Sequence, residues 1–75
     1  MKRIAKSIAF YDPYRIANYL ALVRTLNLTF TKAKQIYDAS VNNEFEEFEI
    51  TSDLSTDEII ENLAEFNIKI TIINI

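Results

Sequence analysis

The side chains best equipped for chemistry in this chain are its carboxylates. Ten of the eleven acids fall within residues 38–75. Glu46 and Glu49 stand three residues apart, and a nearby carboxylate pair is the usual apparatus of glycoside hydrolysis. The surrounding pattern is that of a strand, however. A two-residue period sends positions three apart to opposite faces, so this pair is not read as a catalytic dyad. Asp57, Glu61 and Glu65 recur at i, i+4 and i+8 with Glu58 alongside. Like charges at that spacing destabilise a helix by a few tenths of a kcal/mol per pair. Asp57 and Glu58 are explained by the positive end of a helix dipole, whereas Glu61 and Glu65 sit too far along. Together with Glu44, Glu46, Glu47, Glu49 and Asp53 they form a candidate acidic surface that could recruit a cationic partner or imitate a phosphate backbone. The bland alternative is a solvated face that keeps an apolar-rich chain dispersed.

Other catalytic chemistry lacks its reagents. The 75 residues contain no His, Cys, Gly or Trp and a single Pro. No imidazole is present to shuttle protons or bind metal, and no thiolate to act as a nucleophile. Walker loops, dinucleotide fingerprints and nucleophile elbows all need glycine conformations. A non-enzymatic protein without cofactor or metal is the expectation.

The net charge of −3 conceals two opposed halves. Residues 1–37 carry Lys2, Arg3, Lys6, Arg15, Arg24, Lys32 and Lys34 against Asp12 alone; residues 38–75 carry ten acids against Lys69 alone. Arg24, Lys32 and Lys34 fall near one helix junction and are candidate contacts for acidic groups. Tyr11, Tyr14 and Tyr19 lie close enough in sequence to offer stacking. The negative total charge opposes phosphate binding, so a nucleic-acid partner is not expected. Surface ion pairs between the halves, each worth less than about 1 kcal/mol, are the structural alternative.

The elements that must position these residues follow from periodicity. Alternation over residues 2–10 predicts a strand, with Arg3, Ala5, Ser7 and Ala9 on its open face. Asp12-Pro13 is a start signal for a helix over 13–26 with Ile16, Tyr19, Leu20, Val23 and Leu26 inward. Asn27 suits a left-handed helix end, and Thr29 or Thr31 a new cap. A second helix over 30–40 turns Phe30, Ala33, Ile36 and Tyr37 inward. Asn42-Asn43 is a turn, and 46–51 a short strand. Ser55-Thr-Asp-Glu58 is a capping box opening a third helix, with Ile59, Ile60, Leu63 and Phe66 inward and Asn67 ending it. Ile68, Ile70 and Ile72 then alternate with Lys69, Thr71 and Ile73 in a last strand. The order β-α-α-β-α-β predicts an α+β two-layer sandwich: a three-stranded sheet with three helices on one face, in one domain spanning residues 1–75. Lys69, Thr71 and Ile73 complete the expected open face.

The segment from Val23 to Tyr37, together with Leu63 to Ile72, resembles the C-terminal domain of the bacterial ribosomal stalk protein, whose fold is shared with the Clp protease adaptor for N-terminal degradation signals. The likeness spans about residues 3–72. Phe30, Ala33 and Lys34 match the stalk pattern, while Thr31 and Lys32 depart from it and Asn67 replaces a turn glycine. Against the adaptor, Tyr11-Asp12-Pro13 stands in place of its ligand-binding Asn-Asp-Asp. What the resemblance implies is a fold and a general role, recognition of another protein, rather than either family's specific task; the stalk domain binds translation factors through its two-helix region, where Lys34 is carried over.

The expected function is thus a small adaptor-type interaction module in the cytoplasm. Arg24, Lys32 and Lys34 would be its polar contacts, and Tyr14 or Phe30 its anchor. The alternative is an acidic inhibitor or nucleic-acid mimic of phage or mobile-element origin, using Glu46, Glu49, Asp57, Glu58, Glu61 and Glu65. Self-association, through the sheet face or the complementary halves, is a third expectation. No stretch approaches the roughly 18 apolar residues of a membrane span.

Overall fold

A computed structural model describes residues 2–75. The elements are β1 (Arg3–Phe10), α1 (Arg15–Leu26), α2 (Phe30–Val41), β2 (Phe48–Glu49), α3 (Thr56–Ala64) and β3 (Ile68–Asn74). The architecture is the expected α+β order, with an antiparallel sheet arranged β2-β1-β3. α2 packs on β1 and α3 on β3, while α1 lies against both of the other helices. Leu22, Leu26, Ile59 and Leu63 are the largest fully buried apolar side chains. Each contributes about 1.5–3 kcal/mol by leaving water.

β1 departs from simple alternation. It pairs with β3 from Arg3↔Asn74 to Ala5↔Ile72, then from Ser7↔Thr71 to Phe10↔Ile68, with a register shift between Ala5 and Ser7. This is a β-bulge: one extra residue in β1 inverts the parity of the residues before it. Ala5 is therefore fully buried, and Arg3 donates to the carbonyls of Ser52 (2.6 Å) and Leu54 (2.8 Å). The expectation that both residues line the open face is corrected. Ile4, opposite Ile73, takes that place beside Ser7, Ala9, Lys69 and Thr71. Lys6 falls at the bulge and pairs with Glu47.

β2 is shorter than the expected 46–51. Only Phe48 and Glu49 pair with β1, and the Ile50 amide extends the ladder by one bond to the Arg3 carbonyl at 2.8 Å. Glutamates crowd this segment and favour strand poorly, so pairing is confined to the stretch where Phe48 lies opposite Ala5.

The caps divide between success and correction. Thr29 Oγ1 accepts from the Lys32 amide at 3.1 Å, and the Ser55/Glu58 capping box is complete. α1 instead starts at Arg15 behind Tyr14, without a side-chain cap. Asp12 serves elsewhere. Its carbonyl accepts from the buried Asn18 amide and its carboxylate from the Asn67 side chain, each at 3.0 Å. The Asn67 carbonyl also accepts from the Tyr11 amide at 3.1 Å. These bonds tie together the end of β1, the start of β3 and the first turn of α1.

Without glycine, the left-handed positions fall to Asn27, Asn43 and Asn67, with φ of 57°, 58° and 56°. Asn tolerates this region better than residues whose side chains lack a short polar group. Asn27→Ala is expected to lower stability by about 1 kcal/mol in urea unfolding, with Asn27→Gly costing less.

Candidate functional site

The surface of interest is built on α1 and α2. Almost every position of α1 other than Arg15, Asn18, Arg24 and Thr25 is apolar, so more than one stripe could have turned inward. The buried face is Asn18, Tyr19, Ala21, Leu22, Thr25 and Leu26. Asn18 is held there by its bond to Asp12, which removes the main penalty for burying an amide. Ile16 and Leu20 therefore lie on the outer face, at 60% and 38% exposure, contrary to the inward placement expected of them. They share that face with Arg24 at i, i+4 and i+8.

Phe30, also expected to point inward, is 47% exposed at the start of α2. Its ring meets that of Tyr19 edge-on, with centroids 5.3 Å apart. Tyr19 meets Tyr37 at 5.4 Å and Tyr37 meets Phe10 at 4.8 Å, so an aromatic chain runs from this surface to the sheet. Such edge contacts contribute about 0.5–1.5 kcal/mol each beyond the area they bury. Phe30 is thus an exposed ring on a rigid support.

The predicted basic cluster is divided. Lys34 lies one helical turn beyond Phe30, on the flank shared with Tyr37 that turns toward α1. Lys32 instead lines a cleft of about 270 Å³ between α2 and the 44–48 segment, together with Ile36, Glu44, Phe45, Glu46 and Phe48. The two lysines differ by two positions, which a helix sends to opposite flanks. Arg24 belongs to the outer face of α1. Tyr14 precedes Arg24 by ten residues, about 15 Å along the axis. It is 69% exposed.

The acidic candidates are divided too. Asp57, Glu58 and Glu61 are on α3, and Glu65 caps its end. Glu58 is engaged in the capping box. Glu49 lies opposite Ile4 in the sheet, and Glu46 lines the cleft. Lys6–Glu47 is the one ion pair among the described residues, so the two charged halves do not neutralise one another through paired side chains. Among the described residues, no group of three carboxylates could hold a metal ion.

The chain matches no family model, no curated protein and no solved structure. The candidate surface accordingly rests on its own geometry.

Ile16 and Leu20 were missed as surface residues because an apolar period does not say which of two competing stripes is buried. The signal was Asn18, whose side chain can satisfy the carbonyl of Asp12 six residues earlier. Ile16→Ser and Leu20→Ser, at partly exposed positions, are expected to lower stability by about 1 kcal/mol or less. Leu22→Ala, in the core, should cost about 3 kcal/mol. Equal losses in thermal or urea unfolding would show that α1 is turned the other way.

Proposed function

We propose that this chain is a non-catalytic protein-interaction module that binds an acidic amphipathic segment of another protein across α1 and α2. The observation that carries this reading is the exposure of Ile16 and Leu20 on the face of α1 that also holds Arg24, and of Phe30 one turn before Lys34 on α2, with neither cation forming an ion pair within the described residues. Apolar anchors with charges at their margin are the anatomy of a binding hot spot. Carboxylates on the partner would meet Arg24 and Lys34, which steer encounter and set orientation. Tyr14 extends the apolar contact, whereas Lys32, on the opposite flank of α2, lies outside it.

The resemblance to the ribosomal stalk domain, which binds its partners through the corresponding two helices, favours the same choice of surface, and we place this adaptor role in the cytoplasm as part of the proposal. Among the described residues, no helix is long and apolar enough to cross a membrane. The acidic inhibitor is the competing proposal, motivated by the exposure of Glu46, Glu49, Asp57, Glu58, Glu61 and Glu65.

Affinity capture from the native host, with the variants compared against wild type, separates the two. Leu20→Ser is expected to weaken partner binding by about tenfold, equivalent to about 1.4 kcal/mol. Arg24→Glu with Lys34→Glu should abolish it, while Asp57→Lys, Glu61→Lys and Glu65→Lys together leave it intact. The reverse pattern would favour the acidic mimic.

A further inference from the structure

The two edges of the sheet are treated differently. β2, at one edge, is two residues long and sits among Glu46, Glu47 and Glu49. Short length and charge are the ordinary means by which a sheet edge is kept from pairing with another chain. β3, at the other edge, is seven residues long and has only β1 as a neighbour. It contains no Pro, its sole charge is Lys69, and the bulge that would twist an edge away lies in β1 instead.

The hydrogen bonds identify which groups of β3 are free. The Asn67 carbonyl accepts from Tyr11, and Ile75 exchanges both of its bonds with Lys2 at 2.8 and 2.9 Å. Positions 67 and 75 thus face β1. Antiparallel pairing alternates, and β3 itself has no bulge, so 69, 71 and 73 face β1 as well. The amides and carbonyls of Ile68, Ile70, Ile72 and Asn74 consequently point to the open edge.

We infer that β3 pairs with β3 of a second copy, antiparallel about a two-fold axis at Thr71, to give a continuous six-stranded sheet. This register sets Ile70 against Ile72 of the second copy and Ile68 against its Asn74. All four outward-pointing residues on each chain then find a partner. Sliding by two residues in either direction leaves one of them unpaired, because the number of matched positions falls from four to three. Side-chain faces agree as well: Ile68, Ile70 and Ile72 continue the inner face, and the helices of both copies lie on the same side. On the open face Thr71 meets its own copy and Lys69 meets Ile73. The two lysines are then offset by four residues, about 13 Å, rather than opposed. The strand is self-complementary, and a two-fold contact requires that. This surface is separate from α1 and α2, so its test is independent of the proposed partner site.

Sedimentation equilibrium of the full chain, from micromolar to millimolar concentration, tests the pairing. Wild type is expected to associate to a dimer. Thr71 is exposed, and its replacement leaves the core untouched. Thr71→Lys and Thr71→Glu each place like charges across the axis and should weaken association by about fivefold. An equimolar mixture of the two variants should recover it as a heterodimer. Ile72→Pro, which removes an outward amide, should also prevent association. α3 packs on β3, so joining the edges brings two acidic helices nearer. The dimer should therefore tighten as salt rises from about 0.01 to about 0.15 M and the Debye length falls from about 30 to about 8 Å. A monomer throughout the range overturns the inference, as does a dimer indifferent to both Thr71 variants. A dimer dissolved by salt would be opposite halves attracting one another, and overturns it equally.

Discussion

The bulge in β1 is the constraint on which the remainder of the molecule depends. β1 is the central strand, paired on both sides and covered by α2. With uninterrupted alternation, Ala5 would face solvent and Ile4 the helices. The extra residue reverses this, setting a small side chain in the core and releasing Lys6 to meet Glu47. It also brings Arg3 within reach of the Ser52 and Leu54 carbonyls, so the turn before α3 is held by the first residue of the sheet.

Element order was legible from the sequence because each boundary had a local chemical cause. Ser55 and Glu58 cap α3 between themselves, Thr29 caps α2, and asparagines end α1 and the turn after α3. These interactions involve residues a few positions apart, where pattern is informative. The bulge left no such mark, since Ala5, Lys6 and Ser7 are small or charged and alternate acceptably in either parity. Asp12 was misassigned as a helix cap for a related reason. Its partners are Asn18 and Asn67, and the second lies 55 residues away.

The candidate surface was half legible. Arg24, Phe30, Lys34 and Tyr14 could be singled out by type and neighbourhood, but their arrangement depends on how far α1 is rotated. That rotation is set by tertiary contacts: the Asn18 bond and the packing of Tyr19 between Phe30 and Tyr37. Lys32 shows the limit of proximity in sequence. It is two residues from Lys34 yet lies on the other flank of α2, in the cleft against the 44–48 segment. The exposed apolar positions of α1 are the complement of the stripe that won the core.

The asparagines at left-handed positions also bear on the chain when it is not folded. A glycine at each of them would widen the denatured ensemble, and folding would then surrender more backbone entropy. By using Asn at 27, 43 and 67 the chain accepts a modest steric cost in the native state and keeps its unfolded state narrower. For a small domain with no disulfide, whose hydrophobic core is limited by its size, that restriction supplies stability from a source invisible among native contacts.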